Sequence, residues 1–280
     1  MQRNALRVCD IGWEIEAPLF HQKLLRSKYG CFLSVSRQSC GLWVRISCRA
    51  QASSSHYLPK VHLRRRGSSR FEVSGECSAW LDLESRRGMV TSGNALAAVD
   101  TLVRLSLSLI APQHGWILMH GAAVALESGG WALLLGRSNA GKSTAARAFE
   151  SHCDEWVMAR SDPRGALAAS TPYWNGTPGL ARCEAIVCLE KEPICGAGRR
   201  CTDSPLLHEL RPVHAVRALL PHVVRFVSRE EIDRSVFANL CALARSVRVF
   251  CARCPTGDRY IPGLARMMDD AGLRVRWRNT

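Results

Sequence analysis

The segment Leu133-Leu134-Leu135-Gly136-Arg137-Ser138-Asn139-Ala140-Gly141-Lys142-Ser143-Thr144 carries a complete G-x-x-x-x-G-K-[ST] pattern. An apolar run precedes it and a helix-like run follows it. Gly136 and Gly141 let the backbone curl so that successive N–H groups point inward at a phosphate chain. Lys142 supplies a point charge for the β- and γ-phosphates, and the Ser143 hydroxyl is placed to ligate Mg²⁺. A helix begun at Lys142 adds the positive end of its dipole. Residues 136–144, from Gly136 to Thr144, are therefore expected to hold a nucleoside triphosphate.

Immediately upstream, Ile117 to Leu126 and Trp131 to Leu135 read as strands separated by Glu127-Ser128-Gly129-Gly130. So short a connection makes an antiparallel hairpin, because a parallel pair needs a crossover of a dozen residues or more. Further upstream, Leu96, Val99, Val103, Leu107 and Ile110 recur at helical spacing, with Ser92 or Asn94 to cap the start and Pro112 to end it. Nearly every face of that helix is apolar, which predicts burial. Residues 1–93 read as short strands and turns, among them Cys31–Ser36, Leu42–Cys48, Arg70–Val73 and Ala79–Leu83, with a polar loop at 50–55.

Downstream, Glu155–Ser161 predicts a strand ending at Asp162, and Cys183–Leu189 a second ending at Glu190. Ser204 to Phe226 looks helical but is interrupted by Pro212 and Pro221. Ser228-Arg229-Glu230-Glu231 has the form of a capping box before Ile232, Val236, Leu240 and Leu243 on one helix face. Val247, Val249 and Cys251 alternate as in a strand, 257–271 reads as helical, and Leu273 to Trp277 closes the chain. The Pro/Gly loop Asn175-Gly176-Thr177-Pro178-Gly179 is a candidate lid.

A chain of 280 residues favours two domains, and an apolar share of 47% suffices for a core. No run reaches the roughly 20 apolar residues of a membrane span. Charged residues from Arg3 to Glu16 break up any secretory leader. A soluble, cytoplasmic protein is the expectation. The net charge of +14 is carried mostly by arginine. Arg64-Arg65-Arg66 has no aromatic interleaving, so a nucleic-acid partner is not favoured. Thirteen cysteines at irregular spacing read as reduced thiols. Cys251-x-x-Cys254 lacks a second pair for zinc, Cys195 and Cys201 being at unsuitable spacing.

His120-Gly121-Ala122-Ala123-Val124, the Gly129-Gly130 turn, the loop at 136–144 and the acidic strand end at Asp162 together resemble the kinase domain of HPr kinase/phosphorylase and the wider group of HPr-kinase-related proteins. Cys183–Glu190 is similar to a later strand of that domain, whose nucleotide core is shared with phosphoenolpyruvate carboxykinase. The resemblance implies an α/β fold with α+β character. A P-loop kinase domain over 116–280 would follow a β-rich region at 1–93 and a connecting buried helix at 94–115. It implies ATP and Mg²⁺ as cofactors, with Lys142 on the phosphates and Ser143 and Asp162 on the metal. Asp162 would be the general base, and His120 would lie beside the transferring group. The implied activity is an ATP-dependent kinase acting on a hydroxyl of a protein, precursor peptide or small molecule, and a homo-oligomer is possible. Two positions depart from the pattern: Asp162-Pro163 stands where the family has paired aspartates, and Thr144 where it has an acidic residue. Asp154, Glu155 or Glu190 could compensate, and Arg164 is a candidate phosphate clamp. The rival readings are a P-loop ATPase or regulatory nucleotide-binding protein without kinase activity, and a non-catalytic binding module with a basic N-terminal half. No L-S-G-G-Q-like or N-K-x-D segment is present to favour an ABC-type ATPase or a GTPase.

Overall fold

A computed structural model of the chain describes residues 2–17, 25–34, 42–48, 61–75, 77–93, 95–137, 139–173, 176–191, 206–254 and 260–278. The chain divides into two compact units, Met1–Ala111 and Pro112–Thr280.

The first unit is built on strands β1 (Gln2–Val8), β2 (Ile11–Ala17), β3 (Leu33–Ser34), β4 (Leu42–Cys48), β5 (Val61–Arg66), β6 (Arg70–Gly75), β7 (Cys77–Asp82) and β8 (Arg87–Gly93). They form one sheet in the order β3-β1-β2-β4-β8-β7-β6-β5. The pairs β2–β4 and β4–β8 are parallel. Helix α1 (Ala95–Ile110) lies on β4, β7 and β8. Its polar positions are satisfied inside the unit. Asp100 is buried and meets Lys28 at 3.0 Å and Arg104 at 2.8 Å, while Tyr29 donates to it at 3.1 Å. Trp13 donates its indole N–H to Ser106 at 2.7 Å. The loop expected at 50–55 lies outside the described residues.

The second unit contains β9 (Ile117–Ala125), β10 (Trp131–Gly136), α2 (Lys142–Ala148), β11 (Ser151–Cys153), β12 (Trp156–Asp162), β13 (Gly165–Ser170), β14 (Leu180–Lys191), β15 (Leu206–Glu209), α3 (Pro212–Leu219), α4 (Glu230–Ser246), β16 (Arg248–Cys254) and α5 (Tyr260–Asp270). The β9–β10 hairpin forms as its short turn demands, with Leu135 opposite Gly121. The expected P-loop kinase-type domain does not. Pairings run β10–β9, β9–β12, β12–β13, β13–β14 and back from β14 to β10, which closes a five-stranded barrel. β14 also continues the large sheet by pairing in parallel with β16, which pairs antiparallel with β15. The arrangement is therefore a mixed α/β one, not an open Rossmann-type sheet. Closure follows from the length of β14. Its first residues pair with β13 and its later ones with β10, so one strand serves both.

Two local expectations also change. The stretch read as helix before Pro212 is strand β15, and Pro212 begins α3 instead of breaking a helix, as its fixed φ and missing N–H allow. The capping box of α4 does not close: Arg229, not Ser228, is the N-cap residue, the first turn has no side-chain cap, and the Ser228 hydroxyl donates to Asp233. The apolar face Ile232, Val236, Leu240 and Leu243 is nonetheless buried. A second apolar layer joins Leu134, Val187 and Phe250 of the sheet to Ala145 and Phe149 and to Tyr260, Leu264 and Met268 of α5. Among the described residues no helix is long and apolar enough to cross a membrane.

Candidate functional site

The loop between β10 and α2 is clamped from two sides. Ala140 is buried in the apolar layer, and its N–H donates to the Arg137 carbonyl at 3.0 Å. Gly141 has φ +102°, and a Cβ there would run into the Tyr260 hydroxyl, which donates to the Gly141 carbonyl. Glycine is thus required at 141 for both backbone and space. Asn139 also takes a left-handed conformation, at φ 62°. Lys142 is buried, and its ammonium donates to the carbonyls of Gly136 at 2.8 Å and Arg137 at 3.0 Å. Burial lowers its pKa, while the charge of Asp154 acts in the opposite direction. Ser143 is exposed, Thr144 half-buried, and Ser138 lies outside the described residues.

Facing the loop is a cleft of about 400 Å³ lined by His120, Lys142, Ser143, Thr144, Asp154 and Glu155, with Arg147 at its side. His120 reaches it from β9. Gly121 follows because Leu135 packs where a Cβ would stand. The Gly121 N–H donates to the Glu155 carbonyl at 3.0 Å, which ties the acidic turn to the His-Gly pair. In that turn Asp154 accepts the Glu155 N–H at 2.9 Å, and Glu155 holds φ 89°. A non-glycine residue in this region is held against a conformational cost of about 1–3 kcal/mol, a pattern found at functional sites. Burial and the nearby Lys142 charge hold His120 below its ordinary pKa, with Asp154 opposing them.

Asp162, the expected base and metal ligand, is not in this cleft. β9 explains why. Its Gly121–Ala125 part pairs with β10 and its Ile117–His120 part with β12. β12 therefore starts beside His120, where β10 ends, and carries Asp162 away from the loop. Trp156 is opposite His120, and Asp162 lies six residues further, about 20 Å at ~3.3 Å per residue. There Asp162 accepts the Arg164 N–H at 3.0 Å in the β12–β13 turn, a usual role for a turn aspartate. Arg164 shares that distant turn and clamps no phosphate at the loop. The carboxylates that do meet the loop, Asp154 and Glu155, are adjacent acids at the start of the strand. Their signal in the sequence is an acidic pair just before an apolar run.

The proposed lid is also elsewhere. Thr177 donates its N–H to His152 at 2.8 Å, and its carbonyl accepts the Ser170 hydroxyl. His152 stacks on Trp131 at 4.3 Å, at the opposite end of β10 from Gly136. Asn175 lies outside the described residues.

On its other side the loop borders a larger cavity of about 690 Å³, to which Arg137 and Ala140 contribute. Glu190, Arg217, His222 and Arg253 also line it. His222 is pushed down to about 4, first by burial and then by the charges of Lys142, His120 and Arg137. This residue carried no signal in the sequence, because α3 and the turn after it bring it to the loop only in the folded chain.

The donor set at the first cleft, a serine hydroxyl with two carboxylates, is all oxygen and suits Mg²⁺. Among the described residues no group of three His, Cys, Asp or Glu side chains is disposed to hold a metal ion by itself, so the metal's remaining ligands would be phosphate and water. Cys251 and Cys254 sit three apart on β16, so their side chains leave opposite faces and form no pair. Cys195 and Cys201 are outside the described residues. Burial pushes the thiols of Cys153, Cys183 and Cys188 up to about 12, which leaves them unreactive. Compared with protein-family models and with curated proteins, the chain matches none.

Proposed function

We propose that this protein is an ATP- and Mg²⁺-dependent phosphotransferase that moves the γ-phosphoryl group to an alcohol. The observation that carries this reading is the cleft in which the loop lysine Lys142 and Ser143 face His120, Asp154 and Glu155. In this reading the loop amides and Lys142 bind the β- and γ-phosphates, a role for which the ammonium exchanges its present carbonyl partners for phosphate oxygens. Ser143 with Asp154 or Glu155 would hold Mg²⁺, whose charge offsets that of the phosphates. Asp154 accepts the proton of the attacking hydroxyl as the new O–P bond forms. The bond from the γ-phosphorus to the bridging oxygen breaks, and ADP leaves with that electron pair. His120, kept neutral at neutral pH by burial, donates one hydrogen bond to a phosphoryl oxygen without adding a fixed charge. Phosphoryl transfer asks chiefly for such positioning and charge neutralisation.

The likeness of the loop and the His-Gly strand to HPr-kinase-related proteins supports the same reading from sequence, apart from the fold. Single-turnover incubation with γ-labelled ATP tests it. Label on an alcohol acceptor is the expected result. Release of free phosphate alone would make the protein an ATPase, and absence of Mg²⁺-dependent nucleotide binding by folded protein would end the reading.

A further inference from the structure

Resting on the phosphotransferase reading, we propose that the 690 Å³ cavity bordered by Arg137 and Ala140 is the acceptor site, and that it selects small alcohols bearing a phosphate or carboxylate group. Its size falls in the range of small-ligand sites. Its charge narrows the ligand. Arg137, Arg217 and Arg253 present three guanidinium groups against the one carboxylate of Glu190, which stands opposite Arg253 in the β14–β16 register. Guanidinium forks match the two oxygens of a carboxylate or phosphate, and such bonds are about twice as strong as neutral ones. A neutral nucleoside would gain nothing from this wall and would have to desolvate it.

Position supplies the second argument. Arg137 belongs to the loop that would hold the triphosphate, so the same turn of chain borders both clefts. His222 sits on the cavity side and senses Lys142, His120 and Arg137 across it. His208 and His214 add further imidazoles to the walls. Burial chiefly depresses the pKa of His222 and the charges of Lys142, His120 and Arg137 depress it further, so an anion held among those charges would raise that pKa again. An alcohol anchored by its anion here has its hydroxyl free to turn toward the terminal phosphate. An alcohol without the anion lacks that anchor.

The full-length protein is titrated with glycerol 3-phosphate and, separately, with glycerate, in the presence of Mg²⁺ and a non-hydrolysable ATP analogue. Histidine-ring NMR reads the titration midpoint of His222. At least one of the two probes is expected to bind and raise that midpoint, the pair separating phosphate from carboxylate recognition, and glycerol is expected to do nothing. The exposed arginines are then changed together, Arg217→Gln with Arg253→Gln. Affinity for the binding probe should fall roughly tenfold or more, while that for the ATP analogue stays within about twofold. Failure of both anionic probes with the nucleotide still bound overturns the inference and spares the phosphotransferase reading. Equal binding of glycerol, displacement of the probe by adenosine, or an equal loss of nucleotide affinity in the arginine variant also overturns it. Absence of nucleotide binding overturns both.

Discussion

Asp154→Asn and Asp162→Asn, made separately, should have effects that differ by two orders of magnitude or more. Each asparagine can keep the local turn, since Asp154 accepts the Glu155 N–H and Asp162 the Arg164 N–H through one side-chain oxygen. Only the charge and the capacity to take a proton are lost. Asp162 stands about 20 Å along β12 from the level of His120 at ~3.3 Å per residue. Unit charges at that distance in water interact by about 0.2 kcal/mol, and salt beyond a Debye length of about 8 Å reduces this further. The Asp162 variant should therefore retain its rate within about 1.5-fold. Asp154 lines the cleft and acts electrostatically on both Lys142 and His120. A positioned base contributes about 10²–10⁴ in rate, so its loss should raise the barrier by roughly 3–5 kcal/mol. Single-turnover release of label from γ-labelled ATP, with protein in excess and acceptor-bound label counted together with free phosphate, measures both variants. Thermal unfolding checks that each remains folded. If the Asp162 variant lost tenfold or more, or the Asp154 variant kept the wild-type rate, the placement of the acid at the start of β12 would be refuted as the functional one.

Gly141→Ala forces a side chain into left-handed backbone and against the Tyr260 hydroxyl. It should cost about 1–2 kcal/mol, seen as a fall of several degrees in the unfolding temperature, together with weaker nucleotide binding. Tyr260→Phe removes the donor to the Gly141 carbonyl and should cost about 1 kcal/mol in denaturant unfolding, without the backbone strain. His222 gives a pH dependence of defined sign. Its folded pKa of about 4 lies below the ordinary 6.5, so between those values the unfolded chain takes up a proton that the native one does not. Stability should fall as pH drops from about 6.5 toward 4, and His222→Gln should flatten that part of the curve in denaturant titrations. In the first unit, Asp100→Ala leaves Lys28 and Arg104 around a buried site without their carboxylate. A loss of about 3 kcal/mol is expected, read as a lower denaturation midpoint, and a loss under about 0.5 kcal/mol would show that the ion network is unimportant.

The loop, the hairpin before it and most strands of the second unit were legible because each depends on neighbours in sequence. Glycines at 136 and 141, the short turn at 127–130 and the apolar run at 131–135 act over a few residues. The helix 95–110 was legible for the same reason, its apolar residues recurring at helical spacing. Pro212 shows the limit of such reasoning, since a proline can start a helix as readily as stop one. The capping box at Ser228 shows it again, because the helix starts one residue later, with Arg229 at its N-cap, and the Ser228 hydroxyl bonds the side chain of Asp233.

Sequence alone determined that the chain has a glycine-bearing loop entered from a hairpin and that Lys142 and Ser143 open the helix after it. That information is local, written in glycine positions and turn length. Only the tertiary structure decided which acids face that loop and what closes around it. The split pairing of β9 sets β12 to begin where β10 ends, which brings Asp154 and Glu155 in and takes Asp162 out. The return of β14 to β10 closes the barrel in place of an open sheet, and α3 delivers His222 to the loop. Strand register and long-range pairing are set by the packing of whole faces, and no short window of residues encodes them.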